Sequence, residues 1–481
     1  MRTPSMTPSV RLIAAASLVV LMSACAALPM APKAPALPEQ ARAQSTDFIV
    51  ITVRNDPRPQ AQRAGSTPRG YDEAGSYGIT AAASRSVRAL ERTYGLHEVS
   101  AWPIATLRVH CIVFRLPAAS ERTALIAQLS HDPRVESAQP LNEFTTETVP
   151  DHMASADVAP QPRRAEAAHP RPTWMPYNDP YAPLQRALRD LDVIEAQKES
   201  RGAGVRIAII DTGVDSSHPD LKGRIVAHRN FVDADGRQFL EDRHGTEVAG
   251  VIAAVANNGI GIVGIAPDAR LLAFKACWQS NDAAHGMCNS FTLAQGLEAA
   301  ILARADIVNL SLAGPPDPLL ARLVREGERQ GILFTGAVAA STAKSFPADV
   351  AGVLAVESAE DGPRRAGDLI APGREILTLV PGGHYDFASG SSLAAAEVTG
   401  ILALMISKRP RLPADVAARI LADSSGESSD GEVPSLVDAC RALLEARGAG
   451  ICPALISRHR TRNARSPSSS ASPTTSDTAR D

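Results

Sequence analysis

Two kinds of hydrophobic pattern follow one another along the chain. Between Asp47 and Glu147, "DFIVITV" predicts a strand and "AAASRSVRALERTYG" has the three-and-four spacing of a helix. "LRVHCIVFRL" predicts a second strand, "ASERTALIAQLSH" a second helix and "RVESAQP" a short last strand. That is a small α+β unit of a size that folds alone. From Leu184 to Leu455 the pattern changes. A helix is predicted over "LQRALRDLDVIEAQ". The runs "VRIAII", "RLLAFKA", "DIVNLSL", "GILFTGAV" and "GVLAVES" then follow, nearly continuous in Val, Ile and Leu. Helical stretches such as "FTLAQGLEAAILARA" and "DPLLARLVREGERQ" lie between them. Strands that are apolar on both faces belong to a parallel sheet covered by helices on both sides. The expected class is α/β with a mostly parallel sheet, and its working groups belong at the carboxyl ends of the strands.

The remaining segments are polar or Pro-rich. Residues 148–183 form a linker with many prolines, which excludes helix and central strand. Residues 456–481 are a Ser, Thr, Arg and Pro tail. Its basic run "SRHRTRNARS" is read as solvated tail, and the net charge of −3 gives no field for nucleic acid, so no nucleic-acid partner is expected. At the N-terminus, Arg2 and Arg11 precede "LIAAASLVVLM", an apolar run too short to span a membrane comfortably. "LMSACAA" resembles a bacterial lipobox with Cys25 as the lipidated residue, although Met22 stands where such boxes have leucine. An ordinary signal peptide cut after Ala26 is the other reading, and both export the protein to or beyond the cell envelope. Residues 1–25 are thus a leader and 26–46 a tether.

Export permits disulfides. Of the six cysteines, Cys277 and Cys288 bracket a polar loop that a bridge could close, and Cys440 and Cys452 bracket another segment. Cys111 is left as a buried thiol inside "VHCIVFRL". No CxxC pair supports a zinc site.

Three places carry candidate chemistry. In "VRIAIIDTGVDSSHPDL" a buried strand ends in Asp211, a carboxylate that needs a partner there. In "RHGTEVAG", His244 stands at a helix start. In "FASGSSLAAAEVTGILALM", Ser391 and Ser392 open a helix whose first turns hold only small residues. Taken singly, these residues read as a turn-forming acid, a surface histidine and an N-cap serine. Together, in the order Asp, His, Ser within one α/β domain, they match a known chain order of the nucleophilic triad.

These blocks resemble the three signature blocks of the subtilisin-like serine peptidases. "NNGIGIVGIAPDARLLAFK" and "NLSLAGP" are similar to further stretches of that family, so the resemblance covers nearly all of Leu184 to Lys408. It implies that Asp211 orients the imidazole, His244 is general base and acid, and Ser392 is the nucleophile. The Ser392 backbone N–H would donate to the oxyanion. It also implies a substrate wall made by Ser311, Leu312, Ala313, Gly314, Ala337 and Ala339. "VANNGIGI" resembles a family loop that wraps calcium, with Asn258, Asp220 and Gln185 at ligand positions; no cofactor is implied for the chemistry itself. Residues 47–147 resemble the family's inhibitory propeptide, most clearly in "HDPRVESAQPLNEF". This implies a prosegment that acts as an intramolecular inhibitor and is cut off between about Thr145 and Tyr177.

Two departures from the family pattern bear on activity and specificity, and a third, past the nucleophile, matters less. Ala340 stands where the family has the Asn that donates its side-chain amide to the oxyanion. In a subtilisin, losing that donor costs about 10²–10³ in kcat. Ala313 and Ala339 stand where glycines line the pocket for the residue before the scissile bond, which implies a small pocket favouring Ala or Gly over Phe. Ala396 and Glu397 replace a Pro and a His past the nucleophile. Two readings therefore stay open: an exported serine endopeptidase acting on protein or peptide substrates, slow for want of the Asn, and a non-catalytic relative that binds or scaffolds. A nucleotide-binding protein is disfavoured, since no GxGxxG or P-loop follows a strand.

Overall fold

The computed structural model describes residues 36–56, 78–117, 121–146, 149–150, 175–233, 236–279, 285–339, 344–361, 365–425, 435–448 and 452. The N-terminal unit contains α1 (Glu39–Ala43), β1 (Phe48–Arg54), α2 (Ala81–Tyr94), β2 (His97–Ile104), β3 (Val109–Arg115), α3 (Arg122–Ser130) and β4 (Ser137–Pro140). Its strands form an antiparallel sheet in the order β2-β3-β1-β4. Helix α2 starts where the Thr80 side chain accepts the Ala83 N–H, and it stops at Gly95, whose φ of 66° suits glycine. Strand β2 escapes a sequence reading because its hydrophobic residues are sparse and it contains Pro103. It lies at the sheet edge, where a missing N–H is tolerated. Cys111 is a buried free thiol on β3, as expected.

Two short strands continue the chain, β5 (Glu143–Thr146) and β6 (Val149–Pro150). The second unit then runs α4 (Ala187–Asp190), α5 (Val193–Glu199), β7 (Arg206–Asp211), β8 (Ile225–Asn230), α6 (Gly236–Glu241), α7 (Arg243–Ala253), β9 (Arg270–Lys275), β10 (Cys277–Gln279), β11 (Gly286–Asn289) and α8 (Ser290–Leu302). After these come β12 (Ile307–Leu310), β13 (Leu312–Ala313), α9 (Pro318–Arg329), β14 (Leu333–Ala337), β15 (Val353–Ser358), β16 (Leu369–Ala371), β17 (Ile376–Val380), β18 (His384–Ser389), α10 (Ser391–Lys408), α11 (Ala414–Ser424) and α12 (Ala439–Arg447).

Seven parallel strands form the central sheet in the order β16-β15-β14-β12-β7-β9-β8. One face packs on α7, α10, α11 and α12, the other on α8 and α9. Helix α10 is long and apolar enough to cross a membrane, but 89% of it is buried inside the protein as the central core helix. The expected α/β class is the one found. Cystines join Cys277 to Cys288 and Cys440 to Cys452.

Three boundaries differ from the sequence reading. The single helix expected from "LQRALRDLDVIEAQ" is two short helices, because Asp192 between them takes a φ of 50°. Met175, Tyr177 and Ala182, assigned to the linker, are buried in the core of the second unit, so that unit begins before Leu184. Leu37 and Ala41, assigned to the tether, are buried as well. Short apolar residues among prolines carry no periodic signal, so neither docking shows in the pattern.

Candidate active site

The carboxyl ends of the parallel strands carry the site. Asp211 is the last residue of β7, and its Oδ1 lies 2.7 Å from His244 Nδ1. The same oxygen accepts the Thr212 N–H at 2.6 Å. His244 is in the first turn of α7, which packs against α10, the helix that begins with Ser391 and Ser392. Ser392 is fully buried, and its Oγ donates to the Ser311 carbonyl at 2.9 Å. Ser391 is no N-cap: Gly390 takes that position with a φ of 151°, and Ser391 Oγ donates instead to the Val338 carbonyl at 2.7 Å.

Supporting groups lie around these side chains. Asp242, just before α7, accepts from the buried Lys275 ammonium and from the Gly213 N–H at 2.7 Å. Burial pushes its carboxyl up, partly offset by Lys275. This one carboxylate therefore ties the turn after Asp211, the start of the His244 helix and the end of β9 together. Arg243 joins Glu247 at 2.6 Å and Asp386 at 2.9 Å. Beneath Ser392, Asn309 Nδ2 donates to Thr399 Oγ1 at 3.0 Å, and the hydroxyls of Thr399 and Thr335 are 2.6 Å apart. Ser311 Oγ donates to the Ser392 carbonyl at 3.0 Å. Sequence reasoning missed Asp242, Lys275, Asn309, Thr335 and Thr399. Polar residues inside otherwise apolar strands and helices were the available signal, since such groups must find partners. Glu397, further along α10, is fully buried, and burial pushes its carboxyl well above the usual range.

The N-terminal unit reaches into this site. Strand β5 lies between β11 and β13 in one antiparallel sheet, with Thr145 opposite both Met287 and Ala313 and Thr146 opposite Leu312. Phe144 is buried, with its ring edge-on to Phe346 at 5.6 Å between centroids. Glycine at 314 is required there, since a Cβ would run into the Phe144 ring. Beyond, Val149 pairs with Ser389 and Pro150 with Ala388 on β18, immediately before Ser392. The unit is held elsewhere by buried carboxylates of α8 and the α9 N-cap. Glu298 accepts from Trp102 Nε1 at 3.1 Å and the Ala105 N–H at 2.6 Å. Asp317 accepts from Gln139 at 2.7 Å and Asn142 at 3.0 Å.

Of the expected substrate wall, Leu312 and Ala313 are the strand β13 that pairs with β5, Gly314 adjoins Phe144, and Ser311 is buried beside Ser392. Ala337 departs from the expectation. It sits in the core within β14, paired with Val356, because it precedes the strand exit. Ala339 is half-buried past the end of β14. Ala340 lies outside the described residues, as do Cys25, the leader and the tail.

Asp220, Asn258 and Gln185 meet at the loop 257–263. Asn258 Nδ2 donates to Asp220 Oδ1 at 2.7 Å and the Ile262 N–H to Oδ2 at 2.9 Å. Gln185 accepts the Val263 N–H at 2.8 Å. Burial raises the Asp220 carboxyl to about 6. Gly261, with a φ of 56°, lies so close that a Cβ would meet the Asp220 carboxylate. Among the described residues, no group of three or more His, Cys, Asp or Glu could hold a metal.

Residues 202–440 match the model of the Subtilase family. The chain is 36% identical over 230 residues to the major intracellular serine protease of Bacillus subtilis, covering 44% of this chain and 70% of that one. It is 33% identical over 243 residues to thermitase of Thermoactinomyces vulgaris, covering 48% of this chain and 85% of thermitase. In structure it is similar to fervidolysin of Fervidobacterium pennivorans, a keratinolytic enzyme related to subtilisin, with a TM-score of 0.64 at 20% identity. That likeness extends over 85% of this chain and 61% of fervidolysin, and it speaks to the fold.

Proposed function

The chain belongs to the subtilase family of serine peptidases, and from that premise we propose an exported endopeptidase, made as a proenzyme, that cleaves peptide bonds through Asp211, His244 and Ser392. The observation that carries this reading is the 2.7 Å bond from a strand-end carboxylate to His244 on a helix packed against the Ser392 helix. A serine hydroxyl is a weak nucleophile and needs a base. His244 Nε2 would take the proton from Ser392 Oγ, Asp211 would hold the Nδ1–H tautomer, and the Ser392 N–H would donate to the oxyanion. His244 would then return the proton to the leaving amine.

Residues 47–147 act as the inhibitor in this reading. The support is that β5 pairs with walls on both sides, as an extended substrate does, while Thr146 and Val149 pair with strands of two different sheets. The bond proposed for self-cleavage then lies between Thr146 and Val149. Mass spectrometry of matured protein is expected to find a new N-terminus at Glu147, Thr148 or Val149. A terminus far downstream, or none, would count against self-cleavage at this step. The test of the chemistry is labelling by a fluorophosphonate probe. Labelling of folded, matured protein supports the peptidase, and its absence favours the non-catalytic binding relative that remains the second reading. That second reading draws on Ala340, which lacks the amide donor. Ala313 and Ala339 are proposed to keep the pocket before the scissile bond small. The N-terminal pattern with Cys25 supports export and a lipid anchor, and the two cystines fit the oxidising compartment that export implies.

A structural calcium fits the loop around Asp220. The groups that donate to this buried carboxylate, from Asn258, Ile262 and Tyr385, are uncharged, and oxygen-bearing side chains of Gln185 and Asn258 stand beside it. A bound cation would supply the missing countercharge, and it takes no part in bond cleavage. Because the folded carboxyl is raised to about 6, the apo protein favours the protonated acid, and that contribution to stability is lost as pH rises through 6. Calcium at 100 times its Kd at pH 8 is therefore expected to add about 2.7 kcal/mol of stability there, and the same concentration should raise Tm less at pH 5. Asp220→Asn should abolish the response. A Tm indifferent to both calcium and EDTA at pH 8 would remove the site.

A further inference from the structure

The sheet that contains β5 has an arrangement with a consequence for binding. Its order is β10-β11-β5-β13, so among the described residues β5 is the strand that joins the hairpin β10–β11 to β13. Once a cut prosegment leaves, β11 loses its partner and retains only β10. A two-stranded hairpin is at best marginally stable in water. Yet β11 is the strand that must receive the next peptide: Met287 faces Thr145, Cys288 faces Phe144, and the Gly286 N–H donates to Thr146 Oγ1 at 2.9 Å. The cystine sits in this pair. Cys277 and Cys288 are direct cross-strand partners, with Cα atoms 4.2 Å apart. The root of β10 is fixed as well, since the adjoining Ala276 N–H donates to the Asp211 carbonyl at 2.8 Å.

We propose that the Cys277–Cys288 cystine is a positioning device for the substrate. It keeps β11 extended and in register while the cleft is empty, so that an incoming peptide finds a preformed strand edge. Ordering a loose segment at the moment of binding costs affinity. The cystine should therefore act on KM and on β5 retention, and leave the chemical step alone. The other cystine, Cys440–Cys452, lies in the helical core on the opposite face and provides a matched control.

This inference rests on reading the cleft as a substrate cleft, so the first test does not use catalysis. In full-length Ser392→Ala protein, amide hydrogen exchange of residues 143–146 and 286–289 is followed with and without Cys277→Ser/Cys288→Ser. Exchange at both strands is expected to speed up at least about tenfold, and Cys440→Ser/Cys452→Ser is expected to leave both unchanged. Equal protection with and without the Cys277–Cys288 bridge would overturn the proposal, as would an equal effect from the control pair. In catalytically intact protein, removing the bridge should raise KM about tenfold for peptides long enough to pair with β11, with kcat within about twofold. KM for a single-residue ester should not move. If only the kinetic arm fails for want of any activity, the peptidase reading fails and the exchange result still decides the role of the cystine. Should the double variant not accumulate, the Cys440→Ser/Cys452→Ser protein can be treated with a water-soluble phosphine, which opens the remaining bridge alone. There one phosphine and one water become phosphine oxide, and the cystine takes two electrons and two protons to give two thiols.

Discussion

Ala340→Asn is expected to raise kcat about 10²-fold or more, since in a subtilisin loss of the corresponding side-chain donor costs about 10²–10³. In the same protein carrying Ser392→Ala, the new Asn should add almost nothing, because the nucleophile it would serve is gone. Loss of the nucleophile is itself worth on the order of 10⁶ in kcat in a subtilisin. From a starting point already lowered by the missing donor, Ser392→Ala should still remove fluorophosphonate labelling and leave the prosegment uncut. Rates with a peptide substrate for the four proteins, wild type, each single variant and the double, close a cycle that separates the two contributions. A wild type as fast as a full subtilisin, unchanged by Ala340→Asn, would show that another donor fills the place. Labelling that survives Ser392→Ala would remove Ser392 as nucleophile.

Lys275→Met should destabilise the protein by about 3–5 kcal/mol, because it strands the Asp242 carboxylate without a partner charge. Lys275 is 1% exposed and Asp242 5% exposed, so water cannot replace the lost ammonium. Burial already raises the Asp242 carboxyl, and removing the cation raises it further. An acid raised in the folded state favours folding at low pH and loses that contribution as pH rises through its folded value. The destabilisation should therefore shrink on acidification and grow toward neutral pH. Thermal melts across that range check the sign. Lys275→Met/Asp242→Asn should recover most of the loss, since the amide oxygen can still accept the Gly213 N–H. A double variant no better than the single would show that Lys275 acts through packing. Activity should fall further than stability predicts, because Asp242 joins the Asp211 turn to the His244 helix.

Much of the fold was legible along the chain. Strands such as Arg206–Asp211 and Ile307–Leu310 are continuous apolar runs, and such runs are stable only inside a covered parallel sheet. The three candidate catalytic residues were legible for a related reason. Asp211, His244 and Ser392 each stand where a buried element begins or ends, beside glycines or small residues that permit close approach. The supporting groups were less visible. Lys275 and Asp242 are 33 residues apart, and neither residue type marks a buried ion pair until the strand and helix that carry them meet. Strand β2 was hidden by Pro103, and the docking of Leu37 and Ala41 by the lack of any period.

By itself the sequence determined the α/β class, a small α+β unit ahead of it, the order of the candidate triad and the two pairs of cysteines that could bridge. These follow from local rules: side-chain period, turn chemistry and the residue types a reaction needs. Only the tertiary structure decided that Glu143–Thr146 is the middle strand of a sheet shared with β11 and β13, and that one cystine lies across that sheet while the other does not. Pairing between strands far apart in the chain depends on register and on which edges are left open, and neither is written in the residues of one strand alone.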